Sequence, residues 1–390
     1  MALIEQLELA NFRSYAAGRF RFSSSRVVFT GPNGAGKTNL LESIYFLSIL
    51  RSFRTVSGRE LVRIGERGFE LKARVDKGAY HEELRLVQTL AGKRETWIGA
   101  NRIRRSSEFI REFRAVVFVP EDRNISGGSS SFRRRFFDMM ISTLDGGYLT
   151  ALNNYYRALS QRNRALKQKE QAAVAAAFEP EMAVNAPLIA RQRRIYAKLI
   201  EEEVSRMLAE DGNLEFRIVC RTDYPENAAE YREMLERNRP KEQLRSCTLS
   251  GPQLDEFDFL LNGKLLRYYG STGQIRIISL LLKLAEFNLV KRAAKEPVAV
   301  LVDDVTGELD ELNKARFFRT ISGADQQFFT FTELPELEIF RDAEEIKIEK
   351  IDKTREAALR TGTLPDAVQR RNAGRPVQDR AGAGPEPGEM

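Results

Sequence analysis

Histidine is almost missing from this 390-residue chain: His81 is the only one, alongside a single tryptophan and two cysteines. One histidine excludes multi-histidine metal centres and argues against a Ser-His-Asp triad. Its neighbours Glu82 and Glu83 place it at a solvated strand end, with no catalytic role. Cys220 and Cys247 are well separated and form no C-x-x-C, so neither a disulfide framework nor a thiolate zinc site is supported, and the compartment reads as reducing. Long apolar runs are missing too. The longest, residues 277–289, is broken by Lys283 and Glu286 and falls short of the roughly 18 residues a membrane span needs. Residues 1–15 alternate and open with an acid instead of a basic segment and apolar core, so no signal peptide and no membrane partner are expected, and the location reads as cytoplasmic.

What is present begins with charge. Lys and Arg number 62 against 55 Asp and Glu, a net charge of +7 that points weakly to a polyanionic partner. A hydrophobic fraction of 42% is ordinary for a globular protein. The length favours one two-lobed domain or two domains over a single compact core.

The chemistry is concentrated in residues 27–43, VVFTGPNGAGKTNLLES. A β-branched and aromatic run precedes Gly31, Pro32, Asn33, Gly34, Ala35, Gly36, Lys37 and Thr38, and an amphipathic helical stretch follows. In this strand–loop–helix setting the glycines let backbone N–H groups curl around a phosphate chain. Lys37 reaches the β- and γ-phosphates, and Thr38 offers its hydroxyl to Mg²⁺. ATP or GTP with Mg²⁺ is therefore the expected cofactor. A second apolar run, residues 297–302, delivers Asp303 and Asp304 at its end, which places Asp303 on the metal side and makes Asp304 the candidate general base. Between these regions, Ser271, Gly273 and Gln274 open a long amphipathic helix. That turn suits an anion such as a γ-phosphate, or is a plain N-cap.

Along the chain, residues 3–12 and 19–22 read as a strand pair, and 69–75 and 83–90 as part of a largely antiparallel sheet. The Asn262-Gly263 turn marks a hairpin. Residues 132–211 read as helical. Leu149, Leu152, Tyr156, Leu159 and Leu166 form one stripe; Ile195, Leu199, Glu203 and Met207 form another in a helix set apart by Pro180 and Pro187. This predicts a short helical hairpin with arms of about 30 residues, or roughly 45 Å. The first arm carries Arg157, Arg162, Arg164, Lys167 and Lys169 with no carboxylate, close to Arg133-Arg134-Arg135. A solvated face is one reading of this run, and phosphate-backbone contact the other.

The order of phosphate loop, S-x-G-Q turn, acidic strand and E-L-D resembles the ABC arrangement, in which the serine-glycine turn of one subunit closes over the ATP of another. The fold expected is α/β: an ABC-type P-loop ATPase head with a mixed sheet plus an antiparallel sheet, and a helical second lobe carrying a short hairpin. The head spans 1–122 and 251–350 and the lobe 123–250. Residues 351–390, rich in Pro, Gly, Ala and Arg, read as a disordered tail.

More specific motifs are N-F-R-S-Y at 11–15, R-S-F-R-T at 51–55, V-P-E-D at 119–122 and R-R-R-F-F-D at 133–138. They continue with Y-L-x-x-L-x-x-Y-x-R-A-L-x-Q-R-N at 148–163, G-S-x-G-Q at 270–274, L-K-L-A-E at 282–286 and D-D-V-x-x-E-L-D at 303–310. Together, over residues 3–333, they resemble the RecF family of bacterial recombination-mediator ATPases. The resemblance implies an SMC-class head without its long coiled coil and an ATP-dependent homodimer. It also implies binding of duplex or gapped DNA or a single-strand/double-strand junction, slow DNA-stimulated ATP hydrolysis, and RecO and RecR partners in RecA loading and SOS induction. Three departures stand out. The family's G-P-H-R-D-D appears as Gly251-Pro252-Gln253-Leu254-Asp255-Glu256, its S-E-L-D as Gly307-Glu308-Leu309-Asp310, and Thr330 and Thr332 lie where many cassette ATPases place a switch histidine. A hydroxyl cannot carry that charge, so slow turnover is expected. The rivals are an SMC-like structural chromosome ATPase, a transporter-type ABC subunit and a DNA-cutting enzyme. The first calls for long heptads or a cysteine hook and the last for a second acidic metal cluster, and none of these is present. The transporter subunit calls for a shorter gap between phosphate loop and S-x-G-Q and an apolar docking groove, and the basic arm argues against it.

Overall fold

The computed structural model describes residues 3–349 except 56, 111, 169–171, 210–213 and 306–308, together with 370–371. The chain opens with β1 (Ile4–Phe12), β2 (Tyr15–Arg21) and β3 (Arg26–Thr30), then α1 (Lys37–Ile49). β4 (Gly68–Asp76), β5 (His81–Thr89), β6 (Arg94–Ile98) and β7 (Asn101–Ile103) follow, with a single turn α2 (Ser106–Phe109) before β8 (Arg114–Phe118). β2-β1-β4-β5-β6-β7 make an antiparallel sheet in that order. β4 and β5 alternate apolar and polar residues because one face of the sheet is buried and the other meets water.

The helical part comprises α3 (Arg123–Gly127), α4 (Ser130–Leu144), α5 (Gly146–Lys167), α6 (Ala172–Ala176) and α7 (Glu179–Ala209). β9 (Phe216–Arg221), α8 (Ala228–Arg245), β10 (Glu256–Leu261) and β11 (Lys264–Leu265) lead through α9 (Leu266–Tyr269) into α10 (Thr272–Ala293). β9, β10 and β11 form a small antiparallel sheet, so the segments on either side of residue 250 share strands. The chain closes with β12 (Val298–Asp303), α11 (Glu311–Ile321), β13 (Gln326–Phe331), β14 (Glu344–Lys347) and β15 (Arg370–Arg371).

β14-β3-β13-β12-β8 run parallel and form the centre, with β15 antiparallel at the β14 edge, so the sheet is mixed. Their near-continuous Val, Leu and Phe content follows from burial on both faces. Val27, Phe29, Leu301 and Phe328 look toward α1 and the antiparallel sheet, while Val28, Val300, Val302 and Phe329 look toward α10, α11 and the helical part.

The arm departs from its sequence reading. α5 has 22 residues and α7 has 31, or about 33 and 46 Å, and α7 runs straight through Pro187. The buried stripe of α7 is Met182, Ala186, Ile189, Arg193, Ala197, Ile200, Val204 and Met207, whereas Ile195 and Leu199 are exposed. On α5, Tyr155 is buried in the core and Tyr156 packs at its margin. Most of the arginines read as candidates for phosphate contact also have structural work. Arg162 is fully buried against Glu179 and Glu242, and Arg133 is buried and donates to the Gly128 carbonyl. Arg134 donates to the Asp255 carbonyl and Arg135 to that of Ser52. Arg157, Arg164 and Lys167 remain exposed, and Lys169 lies outside the described residues. The tail from residue 351 lies outside them as well, apart from the two residues of β15.

Arg193 is the hub of this part. It is wholly buried, with Asp138 at 2.8 Å and Asp255 at 2.6 Å, and it donates to the Pro252 carbonyl. It thereby ties α4, α7 and the Gly251–Glu256 turn together. Arg193→Met, which fits the space but strands two buried carboxylates, is expected to destabilise the fold by about 3–5 kcal/mol. Urea unfolding checks this, and a loss under about 1 kcal/mol would contradict the hub role.

Candidate nucleotide site

The parallel strands set the site by register. Asp303 pairs with Thr330 across β12 and β13, and Thr330 with Phe29 across β13 and β3, so the three strands end together. The phosphate loop leaves β3, Asp303 and Asp304 leave β12, and Pro120-Glu121 leave β8, all at the carboxyl edge where open α/β sheets bind ligands. The result is a cavity of about 430 Å³ lined by the loop from Asn33 to Asn39, by Phe53, Arg54, Pro120 and Glu121, and by Asp303, Asp304 and Thr330 to Thr332.

Local chemistry shapes the loop. Gly31 has φ 147°, and a side chain there would lie 2.1 Å from the Ile348 carbonyl oxygen. Gly36 has φ 106° and packs under Tyr15 and Ser14. Both positions therefore require glycine. Pro32, Asn33 and Gly34 are exposed and Ala35 is buried. Lys37, only 9% exposed, folds back to donate to the carbonyls of Gly31 (2.7 Å) and Pro32 (3.0 Å). Burial lowers its pKa, opposed by the charges of Asp303 and Asp304. An incoming phosphate gives the ammonium a stronger acceptor than these carbonyls.

Thr38 Oγ1 donates to Asp303 Oδ1 at 2.9 Å, and Thr330 Oγ1 donates to the same oxygen at 2.7 Å. Burial raises the Asp303 pKa, and the two hydroxyls work against that shift. A hydroxyl and a carboxylate in contact are the hard-oxygen pair that Mg²⁺ takes, together with phosphate oxygens and water. Asp304 follows with φ 52°, the left-handed conformation aspartate tolerates, and is exposed on the cavity wall.

Ser271, Gly273 and Gln274 are not part of this cavity. All three are exposed at the start of α10. Ser271 Oγ accepts from Gln274 N at 3.2 Å, and Gln274 Oε1 accepts from Ser271 N at 2.9 Å. This is a complete capping box, so within one chain these residues cap a helix. Thr306, Gly307 and Glu308 of the downstream motif lie outside the described residues.

Sequence reasoning passed over the loop's supports. Glu42, wholly buried on α1, accepts from Arg13 (2.7 and 2.8 Å) and from Ser52, and has Arg54 at 3.6 Å. Tyr15 donates to the Gly36 carbonyl at 3.2 Å, and Asn39 bridges Ser14 and Arg54. A glutamate in the midst of an apolar helical run was the available signal. The Gln253 departure is absorbed into packing: Gln253 accepts from Tyr155, whose hydroxyl lies 3.2 Å from that of Tyr231.

The site and the layered sheets define an ABC-type ATPase head. Comparison with known proteins makes this more specific. The model of the RecF/RecN/SMC N-terminal domain matches residues 3–351. The DNA replication and repair protein RecF of Lactobacillus gasseri is 35% identical over 85% of this chain and 92% of its own length, and that of Bacillus subtilis is 32% identical over 84% and 93%. A solved structure of the recombination mediator protein RecF with ATP, from the RecFOR pathway, superposes with a TM-score of 0.79 at 27% identity, covering 89% of this chain and 95% of the other. The chain belongs to the RecF family.

Thr330→Val is expected to keep the fold and to weaken Mg²⁺-dependent ATP binding about tenfold, since one charge-assisted hydrogen bond on Asp303 is lost. Titration of a fluorescent ATP analogue with and without Mg²⁺ checks this, and an equal loss in both conditions would detach Thr330 from the metal side.

Proposed function

We propose that this chain is an ATP-switched DNA clamp that works as a recombination mediator. The loop from Gly31 to Thr38 would hold the phosphates of ATP, Thr38 and Asp303 would hold the Mg²⁺ that offsets their charge, and Asp304 is placed to orient the attacking water. Ser271, Gly273 and Gln274 of a second copy close over the γ-phosphate. The observation that carries this reading is that the cavity is built from one set of motifs while the S-x-G-Q turn stands exposed elsewhere on the same chain. A helix N-terminus presented outward favours an anion, and one carried by another molecule can reach it here.

Several charge-assisted hydrogen bonds to a γ-phosphate, each about 1.5–3 kcal/mol, are enough to shift a monomer population to dimer, which takes about 5 kcal/mol. Hydrolysis removes those contacts and opens the clamp. Turnover is slow because Thr330, bonded to Asp303, supplies no charge. The relatives' names, a DNA replication and repair protein and a recombination mediator of the RecFOR pathway, support a role in DNA repair. Gapped or duplex DNA as the ligand, RecO and RecR as partners, and RecA loading with SOS induction as the context are our reading of that role. Among the described residues no helix is long and apolar enough to cross a membrane, and the arm offers no long coiled coil.

The test is complementation. Lys37→Ala and Ser271→Arg each abolish ATPase alone. Mixed one to one, they form dimers with one intact composite site and recover a fraction of wild-type turnover, alongside an ATP-dependent doubling of mass by light scattering. No recovery, with both variants folded, would break the composite-site reading.

A further inference from the structure

The end of the molecule away from the nucleotide carries a second cleft, of about 510 Å³, lined by Arg206, Lys291, Arg292, Arg316 and Arg319 with Met207, Asn288 and Thr320. Among the described residues no carboxylate lines it, although Glu203 and Asp325 hold some of its cations from behind. We propose that this cleft binds the phosphate backbone of a polynucleotide, as a contact separate from the nucleotide site.

Its position follows from the sheet. Asp325 N donates to the Val298 carbonyl and Asp325 Oδ2 accepts from Val298 N, so this corner lies at the amino edge of β12 and β13. Asp325 also holds Lys291 at 2.6 Å. The phosphate loop and Asp303 are at the opposite, carboxyl edge, and Lys291 sits near the far end of a 22-residue helix from Ser271, about 30 Å away. A phosphate bound here is not that of the hydrolysed nucleotide.

Three helices contribute: the end of α7 (Arg206), the end of α10 (Lys291, Arg292) and the second half of α11 (Arg316, Arg319). Glu203, almost buried, accepts from both Arg206 and Arg292 and from Asn288 at 3.4 Å. Two guanidiniums share that one carboxylate, which fixes their planes while leaving excess positive charge. Their side chains remain 62% and 57% exposed, with donors still open to the cleft. Preset arginine forks match phosphate geometry better than isolated lysines do. The spread over three helices suits a chain of phosphates rather than one compact anion.

This inference rests on the DNA-binding reading above, and the experiment separates the two. Arg206→Gln/Lys291→Gln/Arg319→Gln keeps Arg292 on Glu203. With a fluorescein-labelled mixed-sequence duplex in anisotropy titrations over several salt concentrations, the triple variant is expected to bind about 10- to 100-fold more weakly. Its slope of log affinity against log salt should be shallower by roughly two to three, while ATP binding and melting temperature stay at wild-type values. Unchanged affinity and slope, with loss instead in Arg157→Gln/Arg164→Gln/Lys167→Gln, would overturn the cleft and leave the DNA reading standing. No binding by wild type would sink both. Inorganic triphosphate, titrated calorimetrically, distinguishes the source of phosphate: heat from wild type that vanishes in the variant, with duplex binding untouched, would reassign the cleft to a small anion. If the triple variant melts lower, Lys291→Gln/Arg319→Gln, which spares the Glu203 contacts, takes its place.

Discussion

A single carboxylate oxygen joins the three elements on which the nucleotide site depends. Asp303 Oδ1 accepts from Thr38 on α1 and from Thr330 on β13 while its own backbone ends β12. That meeting is possible only in one register of the parallel strands, with Asp303 beside Thr330 and Thr330 beside Phe29. Both faces of these strands are buried, so a one-residue slip would turn Val27, Phe29 and Leu301 away from α1 and expose the other set to the wrong layer. Packing specifies the register, and the register specifies the metal-side oxygen.

The phosphate loop needs support of another kind, since its glycine conformations hold only while their surroundings enforce them. Glu42 supplies much of that. A buried carboxylate costs several kcal/mol unless fully compensated, and here Arg13, Ser52 and Arg54 do so from two separate segments. The N-F-R-S-Y and R-S-F-R-T stretches, 40 residues apart in the chain, are thereby drawn to the same side of α1. There Tyr15 reaches the Gly36 carbonyl and Arg54 reaches the cavity.

Local signals carried through to the structure. The glycine loop, the Asn262-Gly263 hairpin and the buried strand ending in Asp303 each depend on turn chemistry or periodicity within about ten residues. The arm was misread because its core face is partly polar. Asn185 and Arg193 occupy buried positions of α7, so the apolar count favoured Ile195 and Leu199, which are exposed, while Glu203 and Met207 of the same reading are buried. Counting charges along α5 failed for a related reason. Arg162 has its carboxylates at Glu179 and Glu242, beyond the α5 window, and no local tally can show that a cation is neutralised by a distant partner. Arg193, held by Asp138 and Asp255, repeats the pattern.

These buried ion pairs also constrain how parts of the molecule can move. Midway along α10, Lys283 pairs with Glu286 inside the core and lies over the rings of Phe118 and Phe136. Asp122, the last residue of V-P-E-D, is the other charge that Lys283 feels, while its neighbour Glu121 lines the nucleotide cavity. Ser279 donates to the Arg123 carbonyl, and Ile275 packs against Gly127. Glu286 travels with Lys283 on α10, so what a rotation of α10 against the end of β8 would disturb is the approach of Lys283 to Asp122 and to the Phe118 and Phe136 rings. Together these contacts pack α10, which begins at the exposed capping box, directly against the V-P-E-D turn that borders the nucleotide cavity.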